Sequence, residues 1–180
     1  MEVRDATPDD AGGIATVRVR GWQAAYRGLL PEDGLDRLSI ERDTEVWRGR
    51  LERPPPDGVM VVADAGEVVG FCSGGPDRDD DSLGEVYALY VHPDRWGGGI
   101  GTSLLDSATS RLVAAGFTEL VLWVLATNTP ARRFYESLGW VHDGAEKGDE
   151  IFGFALHEAR YRKPAWQEGR PGTSGSGAHM

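Results

Sequence analysis

Four glycines fall within the five residues from Gly97 to Gly101, between an apolar run typical of a strand and one typical of a helix. A glycine gives up side-chain packing and costs backbone entropy, so this cluster indicates a task that side chains would obstruct. A loop at a helix start offers unpaired backbone N–H groups and the positive end of a dipole. The pattern predicts a binding site for a phosphate group.

The glycine spacing excludes two common nucleotide motifs. A dinucleotide fingerprint needs a third glycine three positions after the second, where this chain has Thr102 or Leu104. A nucleoside-triphosphate loop needs a Gly-Lys-Ser/Thr ending, and the stretch contains no lysine. The phosphate must belong to another kind of ligand.

The elements around the loop form the order β α α β β β α β α β β, which predicts a mixed α/β sheet with helices on its faces. A first helix is expected after Thr7 and Pro8, and a second from Ser39. The remaining segments are a hairpin over residues 59–75, a strand over 84–91, a helix over 100–115, a strand over 118–126, a helix from 129, and strands over 139–145 and 150–161.

Composition limits the class of protein. A chain of 180 residues, 40% of them hydrophobic, predicts one domain over residues 1–166, followed by a Gly/Ser-rich flexible tail over 167–180 of the kind that cloning leaves. A formal charge of −10 argues against nucleic acid or an anionic membrane as the main partner. The lone Cys72 excludes an internal disulfide and, with no signal-like N-terminus, predicts the cytoplasm. The histidines show no metal-ligand spacing.

Two motifs resemble those of the GNAT superfamily of N-acetyltransferases. The family loop Gln/Arg-x-x-Gly-x-Gly/Ala corresponds to residues 96–101 of this chain. Trp96 stands where Gln or Arg is usual. The backbone, helped by Arg95, is therefore expected to hold the phosphates. The segment "NTPARRFYESLGW" is similar to the family's Asn-x-x-Ala-x-x-Phe-Tyr-x-x-x-Gly-Phe. The resemblance implies the GNAT fold, a mixed central sheet of about six to seven strands flanked by about four helices.

The resemblance also implies acetyl-CoA as co-substrate and a role for specific residues. The pantetheine arm would run along the strand at Leu89, Tyr90 and Val91 and contact Asn128, and Tyr135 would be the general acid. The pyrophosphate would lie on the glycine loop, that is, on Gly97, Gly98, Gly99, Ile100, Gly101 and Thr102.

The chemistry requires a base as well. An alkylamine with a pKa of about 10.4 is almost fully protonated at neutral pH, so a group must accept its proton before attack on a thioester. Glu85, at the start of the strand expected to carry the cofactor, is the candidate, directly or through a water. Strand alternation predicts that Glu85, Tyr87, Leu89 and Val91 share one face.

Several residues have structural alternatives. Tyr135 fits a core aromatic, Glu85 a solvated carboxylate and Asn128 a simple helix start; Trp22 and Tyr26 wall the acceptor pocket or belong to the core. The acidic run from Asp77 to Asp81 is interpreted as a solvated loop, with attraction of a cationic amine as the sharper alternative.

The sequence therefore predicts transfer of an acetyl group to the primary amine of a small molecule, without a metal. Two alternatives stay open: a protein amine, N-terminal or lysine, and a non-catalytic acyl-CoA-binding module. Protein N-terminal acetyltransferases often carry a glutamate where this chain has Trp123, which counts against a ribosomal-protein substrate. A homodimer stays open, since dimers are common in proteins of this kind.

Overall fold

The computed structural model describes residues 1–28, 32–151 and 154–165. Its seven-stranded sheet has the order β1-β2-β3-β4-β5-β7-β6, in which only β4 and β5 run parallel. The strands are β1 (Glu2–Asp5), β2 (Val59–Asp64), β3 (Val68–Pro76), β4 (Gly84–Val91), β5 (Glu119–Leu125), β6 (Val141–Ile151) and β7 (Phe154–Pro164). The described helices are α1 (Ala11–Tyr26), α2 (Glu32–Asp36), α3 (Ile40–Glu52), α4 (Ile100–Ala114) and α5 (Thr129–Ser137). The predicted fold class is confirmed, and α2 is a short helix that was not anticipated.

Local chemistry explains where the helices begin. A 3-10 turn over Pro8–Asp10 leads into α1, and Ser39 accepts a hydrogen bond from the Arg42 N–H at the start of α3. Gly99 precedes α4 in the left-handed conformation, with φ of 77°. The Asn128 side chain accepts a hydrogen bond from the Ala131 N–H and so caps α5. These starts match the predicted ones.

Helices cover both faces of the sheet. On one face α1 and α3 pack through residues such as Ile14, Val17 and Trp47 against Val62 and Phe71. On the other face α4 buries one side against the sheet, and α5 packs beside it. The members of this second cluster include Val61, Cys72, Val86, Leu104, Leu105, Ala108, Leu112 and Tyr161.

A bulge interrupts the alternation of β4. Ser73 pairs with Ala88 and Gly74 pairs with Val86, so Tyr87 is an extra residue in the strand. As a result Val86 packs with Leu89 and Val91 on the α4 face, whereas Ala88 and Tyr90 pack on the α1 face. The prediction that Glu85 and Tyr87 share a face with Leu89 and Val91 is wrong, because the bulge reverses the phase after Val86.

The end of the chain forms one long hairpin. β6 and β7 pair antiparallel from Val141↔Arg162 to Ile151↔Phe154. The predicted strand over residues 150–161 therefore covers parts of both strands, and residues 152 and 153 between them lie outside the described part. The predicted tail over 167–180 also lies outside it.

The described residues lack two features of other protein classes. None of the helices there combines the length and the apolar character needed to cross a membrane. The same residues hold no group of three or more His, Cys, Asp or Glu side chains that could bind a metal ion.

Candidate active site

The strands β4 and β5 separate along their length and open a cavity. They pair at Gly84↔Leu120, Glu85↔Val121 and Val86↔Leu122, and no later pair joins them. The cavity between the separated ends has a volume of about 730 Å³. Beyond Val86, the edge of β4 that faces β5 has no partner strand there, so its backbone is open to a ligand.

The cavity unites most of the residues that the sequence singled out. All predicted site residues except Gly98 and Glu85 line it. Those that do are Trp22, Tyr26, Leu89, Tyr90, Val91, Gly97, Gly99, Ile100, Gly101, Thr102, Asn128 and Tyr135.

The glycine loop forms an open cradle at one end of the cavity. Gly97 and Gly99 have φ of 78° and 77°, a conformation that other residues rarely adopt. A Cβ built on either glycine would meet no atom within 4 Å, so the space above the loop is free. Backbone N–H groups at the start of α4 close the cradle, as a phosphate group requires. These residues fit the pyrophosphate of CoA.

A hydrogen bond from Trp96 connects the glycine loop to the end of β4. Its side chain is 56% exposed, yet the indole Nε1 donates a hydrogen bond of 2.8 Å to the Val91 carbonyl oxygen. Arg95 lines the cavity next to it. Thus the residue that departs from the family pattern links the loop to the strand predicted to hold the pantetheine arm.

Tyr135 lies on α5 within an aromatic group. Its ring is 5.2 Å from Phe134, 6.3 Å from Trp140 and 6.5 Å from Tyr161, measured between ring centroids. Burial raises the pKa of the Tyr135 hydroxyl above its ordinary value. Like an ordinary tyrosine hydroxyl, it is protonated at neutral pH and can act as a hydrogen-bond donor.

A hydrogen-bond network that the sequence did not reveal holds α5 in place. The Arg132 Nε donates to the Tyr161 hydroxyl at 3.0 Å, and that hydroxyl donates to Glu136 at 2.7 Å. Arg132 also donates to the Ala126 carbonyl oxygen at 3.1 Å. Positions 132 and 136 lie four apart, one turn of a helix, but nothing in the sequence pairs them with Tyr161.

Aromatic residues of α1 form the opposite wall. Trp22 Nε1 donates to the Tyr90 hydroxyl at 2.7 Å, and the Trp22 and Tyr26 rings are 4.9 Å apart. Tyr26 is hydrogen-bonded to the Asn128 side chain, and burial raises its pKa to about 12. Trp22 and Tyr26 thus belong both to a packed cluster and to the cavity wall.

Glu85 does not line the cavity and is 3% exposed. Its Oε1 is 3.8 Å from Arg78 Nη1, and Arg78 covers the Tyr87 ring at 4.7 Å. Burial raises the pKa of the Glu85 carboxyl, and the Arg78 charge opposes that change. Tyr87, which lines the cavity, donates to the Pro76 carbonyl oxygen. Glu85 is therefore a buried carboxylate, and the interpretation as a solvated one is wrong.

The acidic run near Glu85 is not wholly solvated either. Asp77 is 6% exposed, and its Oδ1 accepts hydrogen bonds from the N–H groups of Asp79 and Asp80 at 3.0 and 2.9 Å. Asp79, Asp80 and Asp81 are exposed. The first residue of the run thus shapes the loop, which brings Arg78 to Glu85.

Sequence analysis missed one carboxylate in the cavity. Glu158 of β7 lines it next to Leu125, its register partner on β5. Lys147 pairs with Glu158 across β6 and β7 and covers the Trp123 ring at 4.1 Å. The signal was the alternation of β7, where Ala159 and Tyr161 are buried and Glu158 and Arg160 face the other side.

Known proteins resemble the chain in sequence. The model of the acetyltransferase (GNAT) family matches residues 22–140. The uncharacterized N-acetyltransferase YuaI of Bacillus subtilis is 34% identical over 88% of this chain and 90% of its own length. The mycothiol acetyltransferase of Streptomyces griseus is 32% identical over 73% of this chain, but only 39% of that enzyme is covered.

Solved structures share the fold. PaiA N-acetyltransferase from Thermoplasma acidophilum, in complex with coenzyme A, has a TM-score of 0.75 at 21% identity, over 91% of this chain and 98% of that one. YncA from Salmonella typhimurium, with acetyl-CoA, has a TM-score of 0.69 at 21% identity, over 96% and 98%. The predictions of an acyltransferase and of acetyl-CoA as co-substrate are confirmed at the level of the family. The chain belongs to the acetyltransferase (GNAT) family.

Proposed function

We propose that this protein transfers the acetyl group of acetyl-CoA to the primary amine of a small molecule. The observation that carries the proposal is that one cavity contains the glycine cradle, the open edge of β4, Tyr135 and the aromatic wall of Trp22 and Tyr26. A donor held at the cradle end and an acceptor at the aromatic end would meet between β4 and β5. Direct transfer within such a site requires no covalent enzyme intermediate.

The donor is held mainly by backbone. Bound acetyl-CoA supplies an acetyl thioester, whose carbonyl carbon is the electrophile. The amides of residues 97–102 would bind the pyrophosphate, and the free edge of β4 at Leu89, Tyr90 and Val91 would bind the pantetheine arm. An N–H of this edge would also stabilise the oxyanion that forms on attack. Asn128, used to cap α5, would contact the arm from the other side.

Glu85 is proposed to accept the amine proton. Its raised pKa makes it a stronger base than an exposed glutamate, while Arg78 favours its charged form. Because Glu85 itself does not line the cavity, the proton would travel through a water molecule.

Tyr135 is proposed to protonate the departing thiolate. Its hydroxyl carries a proton at neutral pH, and because burial raises its pKa, the transfer depends on close positioning rather than on acid strength. The ring is fixed by Phe134 and Trp140, so only the hydroxyl needs to face the sulfur. A positioned acid speeds the loss of a thiol with a pKa near 8.5.

The acceptor, the cellular compartment and the oligomeric state also belong to this proposal. A small-molecule acceptor is supported by the name of the mycothiol acetyltransferase relatives. The single, buried Cys72 supports work in the cytoplasm. A homodimer stays a prediction for light scattering to test.

Thiol release from acetyl-CoA across a panel of small amines and of peptides tests the proposal. We expect release with at least one small amine, and acetylated product with the same stoichiometry. Faster turnover of peptide N-termini or lysines would favour the protein-amine alternative. No amine-dependent release from either group would overturn the proposed reaction.

A further inference from the structure

The cavity is lined by two side chains of opposite charge. Among the described residues that line it, Glu158 is the one acidic side chain and Arg95 the one basic side chain. Arg95 lies next to the glycine cradle, where phosphate would bind. Glu158 lies on β7, paired in register with Leu125 at the splayed end of β5. Its carboxylate lies near the aromatic wall, because, in addition to burial, its charge contributes to the raised pKa values of Tyr26 and Tyr90.

An ammonium group already contacts this carboxylate. Lys147 Nζ lies 3.5 Å from Glu158 Oε2 and 4.1 Å from the centroid of the Trp123 ring. Glu158 and Trp123 both line the cavity, whereas Lys147 does not. A carboxylate and an aromatic face are the two kinds of group that bind an alkylammonium ion in proteins. The Lys147 ammonium group thus contacts Glu158 and Trp123 without lining the cavity. An amine acceptor inside the cavity would need the same two contacts.

This ion pair is weak enough to be exchanged. The side chains of Lys147 and Glu158 are 33% and 21% exposed, and their nitrogen–oxygen distance of 3.5 Å is long for a charge-assisted hydrogen bond. Pairs of this kind between partly exposed side chains contribute little to stability. A cation that enters the cavity can therefore replace Lys147 as the partner of Glu158. The sheet would stay intact, because the backbone pairing of β6 and β7 maintains it.

We propose, on the basis of the proposed function, that Glu158 and Trp123 bind the alkylammonium group of the acceptor and that Lys147 competes with it for Glu158. The acceptor class is then an aliphatic amine that arrives protonated. Neutral or anionic acceptors gain nothing from this site. Lys147 therefore lowers the affinity of the protein for the protonated acceptor, and Glu158 raises it.

Opposite effects of the two partners distinguish this competition from a purely structural pair. The probe is n-hexylammonium, titrated by ligand-observed NMR in the presence of CoA, so that no acetyl transfer occurs. We expect Glu158→Gln to raise its Kd by about tenfold, since a charge-assisted contact is lost. Lys147→Met keeps the chain length but removes the competing charge, and should lower the Kd by about threefold.

Two controls complete the test. Arg160 is a second cation near Trp123: its Cζ lies 5.6 Å from the ring centroid, but its side chain pairs with Asp143 rather than Glu158. Arg160→Met should therefore leave the Kd for n-hexylammonium unchanged. Binding of n-hexanol should be the same in all variants. A higher Kd in Lys147→Met, an unchanged Kd in Glu158→Gln, or no binding of n-hexylammonium to the wild type would overturn the inference. Failure of acetyl transfer to every amine would overturn the proposed function instead, because this binding requires no turnover.

Discussion

At the scale of single residues, burial raises the pKa values of two proposed catalytic groups, with a different consequence for each. The carboxyl of Glu85 becomes harder to ionise, which makes its anion a better acceptor of the amine proton. The hydroxyl of Tyr135 is protonated at neutral pH with or without the shift, and the raised pKa makes it a weaker acid. Removal from water thus strengthens the proposed base, whereas the proposed acid depends on the position of its hydroxyl beside the sulfur.

Replacement of Tyr135 by Phe tests the proposed acid. The ring and its contacts with Phe134 and Trp140 remain, and only the hydroxyl is lost. We expect turnover to fall by about 10²-fold with little change in CoA affinity. The loss should shrink with a thioester whose thiol has a lower pKa, because such a leaving group needs less help.

Tyr87→Phe is the matched control for this experiment, since Tyr87 also lines the cavity but donates its hydroxyl proton to the Pro76 carbonyl. Its effect on turnover should be small. Nearly full turnover in Tyr135→Phe would exclude Tyr135 as the acid and leave it as a core aromatic.

The pH dependence of kcat/KM tests Glu85. A base must be ionised to act, so the rate should fall as the pH drops through the raised pKa of Glu85. Glu85→Gln should lower turnover most at acidic pH, where free amine is scarcest, and recover in part toward the pKa of the amine. Arg78→Met removes the charge that lowers this pKa, and should move the acidic limb of the wild-type profile to higher pH. A uniform loss at every pH in Glu85→Gln would indicate substrate positioning instead.

At the scale of secondary-structure elements, the glycine loop was predictable and the strand faces were not. The loop, the start of α4 and the start of α5 carry local signals: glycine runs, capping residues and a proline. The bulge at Tyr87 has no such signal, because it depends on the register with β3. One extra residue in a strand moves every later side chain to the other face of the sheet. For this reason Glu85 lies on the opposite face from Leu89.

Other errors share this origin in contacts between distant segments. The hairpin of β6 and β7 was predicted with the wrong boundaries, since its length is determined by pairing along both strands. The role of Glu158 depends on the register of β7 against β5. The five-residue α2 is too short for a helical period to show in the sequence.

An alanine at Gly97 tests the cradle. Gly97 has φ of 78°, and a Cβ there points into open space, so Gly97→Ala costs backbone strain without a clash in the free protein. The methyl group would stand where phosphate must approach. We expect the thermal stabilisation of the protein by CoA to disappear or fall sharply, because a ligand that binds the native state raises Tm.

Gly66→Ala provides the control for strain. Gly66, in the β2–β3 turn, has φ of 91°, and a Cβ there would also meet no atom within 4 Å. Both variants should lose similar stability without CoA, of the order of 1 kcal/mol. Equal Tm shifts with CoA in Gly97→Ala and Gly66→Ala would show that the loop does not hold the phosphates.

At the scale of the whole molecule, an ion-pair cluster ties the edge of the sheet to the first helix. Asp10 accepts hydrogen bonds of 2.8 Å from Arg4 Nη1 and Nη2, and one of 2.7 Å from the Thr7 N–H. Arg4 also pairs with Asp64 at 2.8 Å. The cluster thus joins β1, the 3-10 turn before α1, and β2. The Asp10 side chain is 8% exposed, so its loss should affect global unfolding.

The stability that Asp10 provides should depend on pH in a defined window. Mainly because of Arg4, the pKa of Asp10 falls from 3.8 to about 2 in the folded protein. A lowered pKa means that the carboxylate stabilises the fold fully above pH 4 and loses this effect as the pH falls through about 2. Asp10→Asn should therefore lower the free energy of unfolding by at most about 2 kcal/mol at pH 7, and by roughly half as much at pH 3.

Urea unfolding of both proteins between pH 3 and pH 7 measures this difference. Asp5→Asn is the control, because the Asp5 side chain is 77% exposed in its pair with Arg111, and such pairs contribute about 0–1 kcal/mol. Its effect should be small throughout the range. If the difference between wild type and Asp10→Asn stayed constant from pH 7 to pH 3, the charge of Asp10 would not be its cause. The loss would then come from hydrogen bonds that an Asn side chain cannot reproduce, because its amide has one acceptor oxygen where Asp10 has two. The link between β1 and α1 would in that case be a matter of geometry alone.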